Sequence, residues 1–524
     1  MIPAGQTEGR SRLWFTAGAF LLILALGLLL RAIVLFQHEY PPGGDYSHVL
    51  LHTNEIMENG EVPIYFPYHQ LGGFRFQSLP GLPLLLSALS FMTGLESIPL
   101  TYYVLILCGL EMLAIFVLAR LLVGTGPALL ATLILALLPS GLEMLAWSGY
   151  SNIFALALMP LAGWALLKFR ASRLAAGQDG SLGWAALAAV LVVGIALIHH
   201  LSALVLVLAL AVFALGDIAL ARLRPQVVAG YLFMATFGLA LGLPILAHLM
   251  DTYFGADAIQ TTLGEGTSVT TKITFAKMQQ AFTPVIVLVA GVGLVVLLLK
   301  NHSGAGGRLL VLALAGTAAL LGYSWMFSVN FFYQRFLFFA PIVLAPAAAY
   351  AIWHTHKTIV RPLLVAAIIS YLTLVGVFRA ELDSDFYLVL TPDSYDALTW
   401  LADSTEEDDV ILTDYCLAWP IDFLSRRPTV AAFTPELLAS TQEEAIAADA
   451  RTMLLEKRSQ MHLFDEYGID YVVVDAGCFG LNTSVILHNL DAEPFLSHLA
   501  DFGTVSVYRN LRDVPGEVSA HVAP

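Results

Sequence analysis

WFTAGAFLLILALGLLLRAIVLF, residues Trp14 to Phe36, decides the class of this chain. An α-helix needs about 20 apolar residues to cross a hydrocarbon core roughly 30 Å thick. Runs near that length recur from Trp14 to Val377 and stop after Arg379. The 524 residues are 58% hydrophobic and 12% charged, whereas an ordinary soluble domain is about 25% charged. Lipid is therefore the solvent for most of the chain. Spans are expected at 14–36, 99–121, 125–145, 150–168, 183–199, 201–220, 229–250, 282–300, 308–328, 334–353 and 361–378, about eleven by the length criterion. The first run exceeds a signal-peptide core and no small-residue cleavage site follows it, so it reads as a retained helix.

Basic residues give an independent check, because cytoplasmic loops are enriched in Lys and Arg. Arg10 and Arg12 put the start of the first helix in the cytoplasm. Arg120, Lys168, Arg170, Arg173, Arg222, Arg224, Lys300, Arg308, Lys357 and Arg361 then fall on the same side. That agreement requires Leu79–Leu95, with Pro80 and Pro83 in its first turn, to be interfacial or re-entrant. An odd number of spans leaves the C-terminus outside the cytoplasm of a multi-pass plasma-membrane protein. Residues 380–524 hold 26 of the 40 acids and 7 of the 25 Lys and Arg, a net −19 against +4 for the rest. Such a tail is solvated, and its charge excludes nucleic acid as a partner. Of three cysteines, Cys108 lies in an apolar run. Cys416 and Cys478 lie in the tail, as two free thiols or as a pair in an oxidising compartment.

The chain thus divides into a membrane module, 1–379, and a soluble acidic domain, 380–524. Within the first, an outer loop at 37–78 opens with Pro41-Pro42-Gly43-Gly44, after which Asp45 can N-cap a helix reaching Asn59 and ended by Gly60. Tyr65, Phe66, Tyr68, Phe74 and Phe76 suit a headgroup layer. A second outer segment, 251–280, has little that could pack and reads either as a mobile loop over a site or as a passive linker. The tail alternates helix and strand: helical at Ser394–Ala402 and, with a break, at Gln442–Tyr467, extended at Asp409–Thr413, Tyr471–Val474 and Val505–Tyr508. This predicts a small α/β domain with a partly parallel sheet.

Polar groups near the outer membrane face are the candidate chemistry. Asp45, His48 and His52 share one helical face at three- and four-residue spacing. The carboxylate could serve as general base or hold a cation, and the histidines could hold a phosphate or share the base role. A helix cap followed by two histidines on a wet face is the plainer alternative. Glu143 and Asn152 flank the turn Trp147-Ser148-Gly149-Tyr150-Ser151, His199 and His200 fall at the next outer turn, and Tyr333 and Arg335 at a later one. An always-charged guanidinium there suits a lipid phosphate; a topogenic or snorkelling arginine is the alternative. Glu111, midway along a span, is expected to face the bundle interior. No metal ligand set is evident.

Together these features resemble the GT-C fold of membrane glycosyltransferases, most closely the catalytic subunit of oligosaccharyltransferases. The matching stretches are Gly44-Asp45-Tyr46 through Glu58-Asn59-Gly60, Ser148-Gly149-Tyr150-Ser151-Asn152, and Arg335 in Tyr333-Gln334-Arg335-Phe336. In the tail they are Leu398-Thr399-Trp400-Leu401, Asp409 through Tyr415, and Tyr467-Gly468-Ile469-Asp470-Tyr471 through Val474. There are departures. Ser151-Asn152-Ile153 stands where the family reads Asp-Asn-Glu for its metal, and the WWDYG acceptor motif survives only as Thr413-Asp414-Tyr415-Cys416.

The resemblance implies a transferase that moves a sugar from a polyprenyl-phosphate donor to a protein, lipid or glycan acceptor on the extracytoplasmic face. Asp45 would be the base, and Arg335 would stabilise the departing phosphate. His48, His52, Glu143, Asn152, His199, His200 and Tyr333 would line the substrate, and membrane lipids would surround it. A divalent cation is conceivable, but its usual acidic ligands are missing. The alternative is a non-catalytic protein that exports or scaffolds cell-surface polysaccharide.

Overall fold

A computed structural model describes residues 4–62, 65–66, 68–71, 74–75, 79–174, 181–220, 224–253, 273–299, 304–327, 333–355, 360–432, 441–456, 460–478 and 483–511. The chain forms two compact units: Met1–Leu35, Tyr102–His248 and Thr267–Asp383 make the first, and Phe36–Thr101, Leu249–Gly266 and Ser384–Pro524 the second.

The first unit is helical. Its elements are α1 (Ala4–Phe36), α4 (Val104–Val123), α5 (Thr125–Leu137), α6 (Pro139–Ala146), α7 (Tyr150–Leu174), α8 (Ser181–Ile198), α9 (His200–Leu220), α10 (Pro225–Tyr253), α11 (Phe275–Phe282), α12 (Pro284–Leu299), α13 (Gly304–Gly322), α14 (Pro341–His354) and α15 (Val360–Phe386). Among the described residues seven helices are long and apolar enough to cross a membrane, or up to nine if each of two bent pairs counts as one span. The pairs are α5 with α6, bent by 42°, and α11 with α12, bent by 85°. Each bend falls where a proline opens the second helix, since proline has no N–H to continue the hydrogen-bond ladder but suits a first helical position. The two remaining expected spans are the shorter apolar helices Leu182–Ile198 and Pro341–His354. The protein is thus a multi-pass membrane protein.

Without a hydrophobic drive between helices in lipid, close backbone approach sets the packing. A Cβ on Gly293 of α12 would lie 1.9 Å from the carbonyl oxygen of Ala347 in α14. Several buried charges meet partners across helices. Arg170 Nε donates to Asp217 Oδ1 at 2.5 Å, and Tyr231 donates its hydroxyl to Oδ2 at 2.9 Å, joining α7, α9 and α10. Arg31, 1% exposed, gives Nη1 to the carbonyls of Gly27 and Ala136, the latter in the last turn of α5, where carbonyls lack intrahelical donors. Glu111 is buried, as expected, and feels the charge of Arg31.

The second unit joins the outer loop to the tail. Its first helix, α2 (Asp45–Asn59), ends at Gly60 in a left-handed conformation, φ 69°, as the sequence predicts. Its start corrects the expectation: Gly44 occupies the cap position with no side-chain cap, and Asp45 is the first helical residue. There a carboxylate meets the positive end of the helix dipole rather than closing the helix. α3 (Gly81–Thr93) has 13 residues, about 20 Å of helix, short of a roughly 30 Å core.

The tail contributes helices α16 (Pro392–Ser404), α17 (Ala418–Leu424), α18 (Thr441–Leu455), α19 (Met461–Tyr467) and α20 (Thr483–Asp491). The outer loop carries the hairpin β1 (Tyr65–Phe66) and β2 (Phe74–Arg75). The tail carries β3 (Val410–Thr413), β4 (Thr429–Ala431), β5 (Ile469–Asp475), β6 (Leu496–Phe502) and β7 (Val505–Asn510) in the order β4-β3-β5-β7-β6. β3 runs parallel to β4 and β5, while β7 is antiparallel to β5 and β6. This is the expected partly parallel sheet, with β4, β6, α17 and α20 added to it.

Thr391 opens α16 with a reciprocal capping box to Ser394. The sheet's free edge at β4 is covered by the outer loop. Thr429 donates its N–H to the Tyr68 carbonyl at 2.8 Å, and the Gln70 amide exchanges two hydrogen bonds with the Ala431 backbone. Such pairing protects an edge from other strands. Gln70 and Leu71 adopt positive φ, 45° and 66°, to reach it. Arg426 grips Glu58 with both Nη atoms at 2.8 and 2.7 Å. Cys416 and Cys478 form a disulfide.

Candidate functional site

In the second unit, helix α2 places His48 and His52 on its buried side, with Asp45 half-buried one turn earlier. The His48 ring lies edge-on to Trp419 with centroids 3.4 Å apart, and His69 stacks on Trp419 at 4.6 Å. His69 Nδ1 is 3.3 Å from Asp422 Oδ2, and Asp422 Oδ1 accepts from Thr429 at 2.9 Å. Burial, then the neighbouring His69 and His52, hold the His48 imidazole well below its usual range. Burial alone pushes His52 down to about 3. Both are neutral at pH 7, so neither offers a positive charge to a phosphate. That is a physical limit on the role the sequence suggested for them. His69, Trp419 and Asp422 were not singled out from the sequence, and no local pattern marks them.

Asp414, the aspartate of the reduced acceptor motif, is fully buried at the end of β3. Its Oδ1 accepts from the N–H groups of Cys416 and Leu417 at 2.8 and 3.1 Å, and Oδ2 from Asp475 at 2.7 Å. Burial raises it to about 7 against those backbone donors. The carboxylate is committed to the chain's own backbone and cannot meet an acceptor. Among the described residues the one group of three side chains with metal-ligand spacing is Asp414, Cys416 and Cys478, and the disulfide removes its two thiolates.

In the first unit, the candidates gather around the turn after α6. Trp147 closes α6, and Ser148 follows with φ 61°, a left-handed conformation uncommon for a residue with a side chain. The Trp147 ring folds back so far that a Cβ on Gly149 would lie 2.5 Å from it. Only glycine admits that approach. The Arg335 guanidinium stands over this ring, Cζ 5.6 Å from its centroid, held by the turn Tyr333–Phe339. Its charge also reaches His199 and His200. His199 caps α9: Nδ1 accepts from the Ser202 N–H at 3.2 Å, so its neutral ring carries the proton on Nε2. The Tyr333 side chain lies outside the described residues.

Glu143, one helical turn before Trp147, is 4% exposed. Its Oε1 accepts from Lys277 Nζ at 2.8 Å. Lys277 belongs to α11, whose start is capped by Thr274 and whose Ala281 and Phe282 pack with Leu337. Residues 254–272 of the expected mobile loop lie outside the described residues, but its last part is this packed helix. Near the end of α15, Arg379 pairs with Asp383 at 2.9 Å, and Asp383 feels both Glu143 and Lys277. Asn152 Oδ1 and Asp383 Oδ2 are buried with no hydrogen-bond partner among the described residues.

The sequence-derived candidates therefore fall into two sets. Asp45, His48 and His52 lie in one unit; Glu143, Asn152, His199, His200 and Arg335 lie in the other. Within the second set the structure brings Arg335 to the turn after α6 and adds Lys277 beside Glu143.

No protein-family model matches the sequence, and no curated protein matches it. Solved structures do match in fold. The Archaeoglobus fulgidus oligosaccharyltransferase tethered with an acceptor peptide superposes with a TM-score of 0.61 at 14% identity, over 88% of this chain and 70% of that one. The oligosaccharyltransferase AglB from the same organism, in complex with an inhibitory peptide and a dolichol-phosphate, gives 0.60 at 13% identity, over 96% and 76%. ArnT from Cupriavidus metallidurans bound to undecaprenyl phosphate gives 0.60 at 12% identity, over 95% and 98%. This chain has the GT-C fold seen in the oligosaccharyltransferase and ArnT structures.

Proposed function

We propose that the protein is a membrane glycosyltransferase that takes a sugar from a polyprenyl-phosphate-linked donor on the extracytoplasmic face. The observation that carries this is the cationic turn after α6, where Arg335 stands over Trp147 and Lys277 reaches Glu143 one helical turn away. Two cations near the end of an apolar bundle suit the phosphate of a lipid whose tail lies in the membrane. The fold relatives support the same donor class, since the ArnT structure holds undecaprenyl phosphate and the AglB structure a dolichol-phosphate. The disulfide in the tail supports its exposure to an oxidising compartment.

In this reading Arg335 stabilises the charge that develops on the departing phosphate. Asp45 is the general base that takes the proton of the acceptor hydroxyl or amine. The acceptor is not a sequon peptide held by the reduced motif, because Asp414 is occupied by backbone N–H groups. To test the function, a deletion strain is complemented with wild type, Asp45→Asn or Arg335→Ala, and its surface glycans and lipid-linked sugars are followed by mass spectrometry. The expected outcome is a missing sugar with its lipid donor accumulating, restored by wild type and by neither variant. Full restoration by Asp45→Asn would remove the base assignment. An unchanged glycan and lipid profile in the deletion strain favours the scaffold alternative.

A further inference from the structure

The oligosaccharyltransferase resemblance raises the question of a divalent metal near the turn after α6. The residues of the helical unit do not fit one. Hard cations are held by several oxygen ligands, usually with more than one carboxylate among them. Here Ser151-Asn152-Ile153 supplies one amide oxygen. The two nearby carboxylates are already neutralised, Glu143 by Lys277 at 2.8 Å and Asp383 by Arg379 at 2.9 Å. A dication brought to these carboxylates would meet an ammonium and a guanidinium on its own ligands.

We infer that the Lys277 ammonium is the built-in cation of this site, held by Glu143 in place of a divalent metal and presented to the phosphate oxygens of a membrane lipid. The inference rests on the donor class proposed above and adds the residue that makes binding metal-independent. An ammonium has three donors and Glu143 takes one of them. The Lys277 side chain is 23% exposed against 6% for the side chain of Glu143, so its head reaches out of the pair while the carboxylate stays inside. Its position is fixed from both sides. Thr274 caps the first turn of α11, and Ala281, Phe282 and Leu337 pack its other end beside the turn that carries Arg335. Arg335 and Lys277 thus address one face of α6, four residues apart at Trp147 and Glu143. A compact ammonium beside a planar guanidinium resembles the usual division of labour at phosphates, one point charge and one fork.

The experiment uses the full chain in lipid nanodiscs, with undecaprenyl phosphate and inorganic phosphate as probes and native mass spectrometry as readout. Binding is measured in EDTA and with added Mn2+. The wild type is expected to bind undecaprenyl phosphate equally in both, within about twofold, and more tightly than inorganic phosphate. Lys277→Arg should retain binding within a few-fold, and Lys277→Met should lose it by at least tenfold. Because Lys277→Met strands a buried carboxylate, the double variant Glu143→Gln/Lys277→Met is included; it restores charge balance and should fold, yet still lose the lipid. Equal binding by the double variant makes Lys277 merely structural and overturns the inference. Binding by the wild type only with Mn2+ overturns it too, leaving the donor class intact. No binding under either condition refutes the donor class itself. Equal affinity for inorganic phosphate overturns the lipid as the source of the phosphate.

Discussion

Replacing Cys416 and Cys478 by serine tests both the fold of the tail and the side of the membrane on which it lies. The bridge spans a sequence separation of 62 residues, joining the segment after β3 to the end of the β5 turn. In the chain-entropy model, a closed loop of that length restricts the unfolded state by about 4 kcal/mol, an upper figure because compact unfolded chains are already restricted. Both cysteines are buried at 5% exposure, so the serine hydroxyls add a small cost in the same direction. For a unit of about 200 residues, each kcal/mol is worth roughly 2–4 °C, so the double variant should melt about 10 °C below wild type. The assay is tail unfolding followed by limited proteolysis during heating of the full chain in nanodiscs, with and without reductant. Reductant should lower the wild type to the level of the variant and leave the variant unchanged. Coincident melting of all samples would refute the stabilisation. Alkylation of whole cells without reductant completes the test: two labelled tail thiols in the wild type would place the tail in a reducing compartment and refute the proposed extracytoplasmic position.

Two other expectations follow from packing and titration. In the folded second unit His52 stays neutral, its pKa lowered from 6.5 to about 3 by burial, so the unfolded state takes up the proton first. His52 therefore contributes its full stability above about pH 6.5 and loses it as the pH falls toward 3. Wild type measured against His52→Gln should lose roughly 3 kcal/mol between pH 7 and pH 4.5; a flat difference in melting temperature across that range would remove the burial argument. Gly293→Ala forces a Cβ to 1.9 Å from the Ala347 carbonyl oxygen, so α12 and α14 must separate at a cost of about 1–3 kcal/mol or more. Gly291→Ala, with nothing within 4 Å of its Cβ, is the control and should be neutral or slightly stabilising by thermal melting.

The membrane helices were legible because a run of apolar residues is a local signal: each expected segment contains a helix, though Leu182–Ile198 and Pro341–His354 are shorter than a full span. β3 and β5 were legible for the same reason, as runs of Val, Ile and Leu with both faces covered. β6 was missed because Leu496–Phe502 carries His498 and Asp501 on an edge strand whose exposed positions hide the alternation. β4 has three residues, too few for a period. Site residues failed for another reason. His69 meets Trp419 and Asp422 only through tertiary packing, and Lys277 meets a carboxylate 134 residues away. A lysine just after a polar loop looks solvated until the fold supplies its partner.

Buried charge in the helical unit includes two clusters at opposite ends of α7, and they differ in how far their acceptors are satisfied. α7 carries one near each terminus: Asn152 in its first turn and Arg170 in its last third, separated by about 27 Å of helix, close to the thickness of a hydrocarbon core. Around Arg170 the polar groups close on each other, since both oxygens of Asp217 are taken, one by the guanidinium and one by Tyr231. Such a network holds helices together. Around Asn152 the chain leaves acceptors over: Asn152 Oδ1 and Asp383 Oδ2 are buried with no hydrogen-bond partner among the described residues, while Lys277 keeps donors beyond the one given to Glu143. Orphaned buried acceptors are rare and call for an explanation. Such acceptors call for a donor, such as the hydroxyl or amine of an acceptor substrate, whereas in the proposed reading it is Arg335 and Lys277 at the same end of α7 that meet the donor phosphate.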